Sequence, residues 1–450
     1  MNSANIDNPV VRPKGSVKAK LSRDDIIMRG GMIVIALYLV ISLVFPLYSM
    51  FSKSFSTFQY DLSKFEVQVS DDSGQFSPKI TNLQNLNEGL KAIPDEELST
   101  GSGGRLGATI FFPDFSFRSP VMYRIRNVDG QGRFLVGSTL MTGTDWQELD
   151  SNTFRRVQLR PVRSTGLSNF INYFSTPALF KSIQNSIFIA IISTIITVIL
   201  AFWFAYALNR SCMRFKGFFR LIAMAPILVP SLLPGIALVY LFGAQGVIKG
   251  LLFGASIYGP IGIIIGSVFF TFPHAFLIIS TALAISDARL YEAAISLKAS
   301  PWKTFWTVTI PGARYGIISA AFVVFNLVIT DFGLPKVIGG QFNVLAVDIY
   351  KQVIGQQNFE MGAVVSVVLI IPAILAFAID RVVQSKQVAL LTARSVPFNP
   401  KPSSRADLIF TIYCGLVGLF IIGMLGICQF AALIKFWPYD LSLSLNNYQF

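Results

Sequence analysis

One histidine and three cysteines occur in 450 residues, and only 14% of the residues are charged. A soluble globular chain averages roughly 25% charged residues. The deficit falls in several apolar stretches close to the ~20 residues a helix needs to cross about 30 Å of hydrocarbon. Cys212, Cys414 and Cys428 have neither metal-ligand spacing nor the pattern of a disulfide framework. No GxxxxGK[ST] phosphate loop is present, so the sequence offers no Walker-type nucleotide site of its own. The long polar region 52–180 has no histidine and no cysteine. It holds no nucleophile–base constellation or metal cluster that would make it a membrane-tethered enzyme.

What the chain has in quantity is hydrophobic residues, at 53%. Seven membrane helices are expected at 30–50, 183–208, 221–242, 261–284, 316–335, 361–380 and 408–431. The first follows a basic tail but lacks a small-residue cleavage site, and so reads as an uncleaved anchor. In 52–180, alternation at 121–128, 133–140 and 153–162 predicts strands, and the Gly-rich stretch 99–107 predicts a flexible turn. The expected class is an all-α polytopic membrane protein with a β-containing extracytoplasmic insert.

The net charge of +13 is a topology signal. Nineteen Lys and Arg fall in the tail 1–29 and in the loops after spans two, four and six, whereas Lys249, Lys336, Lys351 and Lys435 are the only ones in the opposite short segments. By the positive-inside rule the N-terminus is cytoplasmic and 52–180 is outside. Acids nearly balance bases in that outer region, so the excess is not a nucleic-acid footprint.

The cytoplasmic loop 286–311 carries the most information. Ser286 is placed to cap a first helix whose positive end suits Asp287, and Leu290, Ala294 and Leu297 form an apolar stripe. Ser300 caps a second helix with Pro301 at its first position, and Pro311 is expected to close it before span five. Ala293 and Ala294 permit close approach of a partner, and Glu292 offers a charge for docking. On periodicity alone the loop reads equally as an amphipathic segment lying on the membrane.

This segment resembles the coupling signature of inner-membrane permeases of ABC importers. The match is carried by Glu292, Ala293 and Ala294, then Val308, Ile310 and Pro311; the family's Gly falls at Lys298 here. The resemblance covers about 165–400. It implies a permease core at 181–385 between the 52–180 domain and a cytoplasmic linker at 386–407. It also implies a cytoplasmic ABC ATPase dimer that carries the ATP and Mg, and a periplasmic substrate-binding protein. No cofactor is expected on this chain. Segments 329–359 and 271–276 resemble permeases assigned to 2-aminoethylphosphonate import, with iron(III) permeases sharing the broader pattern. Residues 408–450 resemble the opening of a second permease half, expected from the same polypeptide or from another chain. The expected location is the bacterial inner membrane, among lipid.

Pathway-lining candidates are Pro226, Pro230 and Pro234, whose spacing puts them on one face of span three; His274, the sole histidine, in mid-span; and Asn326, Thr330 and Asp331 at the outer end of span five. Intramembrane ionisable groups are functional candidates, but a kink, a packed imidazole and interhelical hydrogen bonds account for the same residues. Gly262 and Gly266 form a GxxxG that reads as helix packing. An ion-coupled secondary transporter using His274 or Asp331 is the competing class; it leaves the paired loop helices unexplained.

Overall fold

The computed structural model describes residues 23–59, 65–70, 75–76, 81–82, 108–109, 122–127, 133–136, 139–141, 145–150, 158–160, 162–389, 398, 400 and 402–448. By contact density the chain divides into Met1–Ser52 and Lys53–Phe450. In the first unit, helix α1 (Arg23–Leu39) passes through a π-helical turn, Val40–Val44, into α2 (Phe45–Ser54). Pro46 explains the turn. Proline has no N–H and its ring crowds the carbonyl four residues back, so the ladder widens and the Phe45 N–H reaches Val40 O.

In the second unit, strand β1 (Ser56–Gln59) opens the insert and β2 (Phe65–Val69), β3 (Thr81–Asn82), β4 (Ala108–Thr109), β5 (Met122–Asn127), β6 (Arg133–Val136), β7 (Thr139–Met141), β8 (Gln147–Asp150), β9 (Gln158–Arg160) and β10 (Val162–Thr165) follow. They form two four-stranded sheets, ordered β3-β2-β5-β8 and β4-β9-β6-β7, and a β1-β10 ladder. Period-two alternation is explicit in β5: Ile125 is buried with Val67 and Leu149, while Arg124 and Arg126 pair with Glu148 and Glu66 on the strands beside them. The stretch expected as one strand at 133–140 is a hairpin, with Val136 opposite Thr139. Of 153–162, only the last part is described, as β9 and the start of β10, and the stretch 99–107 lies outside the described residues.

Antiparallel β1-β10 pairing sets Ser56 opposite Thr165, so the insert leaves and rejoins the helical body at one place. Helix α3 (Ser168–Ser175) seals it. Asn169 Nδ2 donates to the carbonyls of Ser54 (3.2 Å) and Ser56 (2.7 Å), and Tyr173 is buried against Leu345, Val364 and Val365.

The helical body holds α4 (Pro177–Arg210), α5 (Lys216–Met224), α6 (Leu232–Phe242), α7 (Pro260–Ile285), α8 (Ala288–Ser296), α9 (Pro301–Thr304), α10 (Ile310–Ile329), α11 (Gly333–Ile338), α12 (Leu345–Tyr350), α13 (Phe359–Ala389) and α14 (Ser404–Leu433), followed by the strand pair β11 (Ile434–Phe436) and β12 (Asp440–Leu443). Among the described residues six helices are long and apolar enough to span a membrane, seven if a bent pair counts as one. Helices α4, α7 and α10 share the main core. Small residues allow the approach: a Cβ on Gly316 of α10 would lie 2.3 Å from Ala282 Cβ of α7. Polar bonds stitch the same helices, with Thr197 Oγ1 and Thr271 Oγ1 at 3.2 Å and Asn209 Nδ2 donating to Ser280 Oγ at 2.9 Å, a common device between helices in lipid.

Two spans differ from expectation. The third is not a straight helix: Lys216–Leu228 and Leu232–Phe242 meet at 106°. Val229, ahead of Pro230, is extended (φ −108°, ψ 131°), as the clash with a following proline ring requires. The fifth ends at Ile329 rather than 335, and the chain turns at Thr330–Phe332 into the short α11.

Candidate functional site

The loop between α7 and α10 is built as two capped helices. Asp287 caps α8, its carboxylate accepting from Arg289 N at 3.1 Å. Ser286, the expected cap, is engaged elsewhere: its hydroxyl accepts from Arg210 and donates to Leu283 O. Helix α8 ends in a Schellman turn. Ala299 N donates to Ala294 O and Lys298 N to Ile295 O, both at 2.9 Å, with Lys298 at φ 52°. Such a turn favours Gly at this residue, which accounts for the position that Lys298 fills. Ser300 caps α9 by accepting from Lys303 N at 3.2 Å, with Pro301 in the first turn.

Pro311 does not close this helix. The chain continues from α9 through the π-helical turn Phe305–Thr309 into α10, and Ile310 N donates to Phe305 O. The cause is the one seen at Pro46: the missing donor and ring clash are absorbed by widening the preceding turn. Pro301–Ile329 is thereby one span-length helix, so α9 is rigidly continuous with a membrane helix.

Of the motif residues, Glu292, Ala293, Lys298 and Pro311 are exposed, Val308 and Ile310 half-buried, and Ala294 buried. Ala294 therefore packs inward and is not available for the close approach to a partner expected of it. Leu290 and Leu297, expected to form an apolar stripe with it, are exposed, Leu297 at 81%. Trp302 and Trp306 are exposed as well, among the charged side chains of Arg289, Glu292, Lys298 and Lys303.

The inner face rests on residues that the sequence pattern does not single out. Tyr291 is buried; its hydroxyl accepts from Arg210 Nε (3.3 Å) and donates to Thr309 Oγ1 (3.1 Å). One side chain thus links the end of α4, α8 and the widened turn before α10. A second polar group joins α10 to α13: buried Asp380 accepts from Ser319 Oγ (2.5 Å) and Gln384 Nε2 (2.8 Å). A carboxylate at 380 inside an apolar run is the signal by which it could have been found.

The structure scatters the pathway candidates. Pro226 is buried in a 3-10 turn, Pro230 is exposed in the break, and Pro234 is buried in the first turn of α6. The helix axis changes direction between them, so they share no face. His274 is half-buried with Nδ1 unpartnered, and Asn326 has its Oδ1 unpartnered. Thr330 donates to Asn326 O at 2.7 Å, which makes it a helix-end hydroxyl. Asp331 lies where the two broken spans meet. Its carboxylate accepts from Gly333 N at 3.2 Å and hydrogen-bonds with Ser231 in the break of span three. Among the described hydrogen bonds none joins His274 to Asn326 or Asp331. Gly262 and Gly266 do pack helices: a Cβ on either would lie within 2.7 Å of Ile338 or Leu334 of α11.

Asp348 on α12 was not singled out by its sequence pattern. It is buried with Oδ2 unpartnered. Burial raises its pKa, against the Ser182 hydroxyl and the charge of Lys351.

Residues 211–388 match the family of the binding-protein-dependent transport system inner membrane component. The chain is similar to the ferric transport system permease protein FbpB of Actinobacillus pleuropneumoniae, 25% identical over 279 residues, which are 60% of this chain and 40% of that protein. It is also similar to the molybdenum transport system permease protein ModB of Azotobacter vinelandii, 29% identical over 180 residues, 38% of this chain and 80% of that one. The spermidine/putrescine transport system permease protein PotB of Haemophilus influenzae is 25% identical over 225 residues, 48% of this chain and 78% of that protein. Thus the chain spans less than half the length of the ferric permeases it matches. Among solved structures, a chain of a bacterial alginate ABC transporter aligns with TM-score 0.41 and 17% identity, over 51% of this chain and 85% of that one. The likeness to binding-protein-dependent transport system inner membrane components is thus carried by residues 211–388, less than half of the chain.

Proposed function

We propose that this chain is a transmembrane subunit of an ATP-driven importer, receiving solute from a binding protein on one side and driven by an ABC ATPase dimer on the other. The observation that carries this reading is the pair α8–α9: two capped helices joined by a Schellman turn, inside the family-matched segment. The pair exposes Glu292 and Ala293 together with Leu290, Leu297 and Trp302. Moving a two-state transporter from about 1:99 to 99:1 takes roughly 5.5 kcal/mol of differential interaction. The energy has to enter from a partner, and a rigid element continuous with α10 is suited to receive it. In this reading Glu292, Ala293, Lys298, Val308, Ile310 and Pro311 serve coupling, and Ala294 fixes α8 from within.

The Lys and Arg asymmetry supports a cytoplasmic N-terminus, with α8 and α9 on the same side and the β-insert outside. For the substrate, the likeness of 329–359 and 271–276 supports 2-aminoethylphosphonate or a similar small solute. Iron(III) is the second reading, favoured by the long matches to ferric permeases.

The test is ATP-dependent uptake in vesicles holding the full chain with its ATPase and binding protein. Labelled 2-aminoethylphosphonate and iron(III) would be compared. Replacing Glu292 with Lys is expected to abolish uptake while the chain stays inserted; normal uptake by that variant would reject the coupling assignment.

A further inference from the structure

Phe398, which lies in sequence between α13 and α14, packs against Tyr291 of α8, with ring centroids 4.6 Å apart and ring planes tilted by 47°. The guanidinium carbon of Arg210 sits 4.9 Å from the Tyr291 ring and 4.6 Å from the Phe398 ring. Arg210 also donates to Leu283 O at 2.7 Å, to Ser286 Oγ and to the Tyr291 hydroxyl. Among the described residues no carboxylate bridges to it, so its charge is met by carbonyl, hydroxyl and π faces alone. A second tie lies two residues on. Cys212 N donates to Asp407 Oδ1 at 2.8 Å, Cys212 Sγ donates to Pro400 O at 3.3 Å, and Ser403 N holds Asp407 Oδ2 at 3.1 Å.

We propose that Phe398 is a positioning residue that closes a latch over Arg210 and Tyr291, fixing α8 against the end of α4 and tying it to the segment that begins α14. The proposal rests on the reading of α8 as a coupling helix. The mechanical consequence follows from packing. A displacement of α8 moves Tyr291, and with it the Phe398 ring and the Cys212–Asp407 tie at the start of α14. Helix α14 lies on the bent span, where a Cβ on Gly418 would stand 3.7 Å from Ile222. The latch therefore offers a series of contacts from α8 towards the broken helix pair, and the variants below test whether those contacts couple.

Cys212 supplies a reporter that does not depend on transport. With Cys414 and Cys428 replaced by Ala, the full chain in inverted membrane vesicles is labelled at Cys212 with a maleimide. Phe398→Ala is expected to raise the labelling rate several-fold, Phe398→Leu less, and Phe398→Tyr not at all. In parallel, ATP-dependent uptake is expected to fall several-fold in Phe398→Ala and to stay near the parent level in Phe398→Tyr. An unchanged Cys212 rate in both Ala and Leu variants would overturn the latch. A raised rate with unchanged uptake would overturn its positioning role. Glu292→Lys, run beside them, separates the cases: uptake unaffected there removes the coupling reading, and the latch geometry is then judged on Cys212 labelling alone.

Discussion

Gly333 lies directly on Ser231: a Cβ at Gly333 would come within 2.5 Å of the Ser231 hydroxyl oxygen and 3.2 Å of Leu232 N. Two breaks in membrane helices, one made by Pro230 and one after Ile329, meet at this contact. Broken helices survive at membrane depth where neighbours resatisfy the freed backbone groups, and the carboxylate of Asp331 does so for the amides of residues 332–334.

Gly333→Ala should therefore destabilise the body by about 1–3 kcal/mol, the usual range for overpacking a tight contact. Ser231→Gly should recover part of the loss by removing the nearest atom, although Leu232 remains close. Thermal unfolding of the purified chain in detergent, followed for the two single variants and the double, measures the recovery. Additive losses would mean that the two positions do not touch.

Lys298 tests the opposite sign. A side chain in the left-handed region costs roughly 1–2 kcal/mol, and Gly gives back about 0.4–1 kcal/mol through the freer unfolded chain. Lys298→Gly should thus stabilise modestly, raising the midpoint of thermal unfolding. A drop in the midpoint would argue that the lysine side chain itself contributes at the turn.

Much of this was legible in the sequence, and the parts that were not have common causes. Hydrophobic length placed six of the seven expected spans on single long helices and the third on a bent pair, because one helical turn advances a fixed distance and the bilayer sets the total. The caps at Ser300 and Pro301 followed from local chemistry. What failed was tertiary choice. Ser286 and Asp287 are both competent caps, and Arg210, distant in sequence, takes the serine. Pro226, Pro230 and Pro234 have helical spacing, but spacing defines a face only if the axis stays straight, and Pro230 with extended Val229 ends that. Pro311 was read as a stop because proline removes a hydrogen bond; the π-turn at Phe305–Thr309 is the alternative response, and sequence does not say which a chain will use. The cluster of Tyr291, Arg210 and Phe398 was not legible because none is unusual alone; only the fold brings them together.

Asp348, on the short helix α12 outside the spans, gives a pH prediction. Burial raises it above the ordinary aspartate value. For a carboxyl raised on folding, the contribution to stability is complete below the unfolded pKa and is lost as pH climbs through the folded one. The unfolding midpoint should accordingly decline from acid towards neutral pH. Asp348→Asn should flatten that slope, read from midpoints over a pH series at constant ionic strength. A slope unchanged in that variant would assign it to other groups.

Asp380 offers a test of the α10–α13 tie. Asp380→Ala leaves the buried Ser319 hydroxyl facing a void and releases the exposed Gln384 amide to water, and an unsatisfied buried donor costs about 1–3 kcal/mol. Ser319→Ala removes one neutral donor and leaves Gln384 on the carboxylate, a loss nearer 1 kcal/mol by the same measure. Asp380→Asn keeps the shape and one accepting oxygen, and should fall between the two. If the tie serves only stability, uptake per inserted molecule will be the same in all three. Because α9 runs without interruption into α10, a loosened α10–α13 pair should instead dissipate motion arriving from α8. The expected outcome is that Asp380→Ala lowers uptake more than its loss of inserted protein accounts for, measured as uptake normalised to chain in the membrane. Proportional losses in uptake and inserted chain would make Asp380 a purely structural residue.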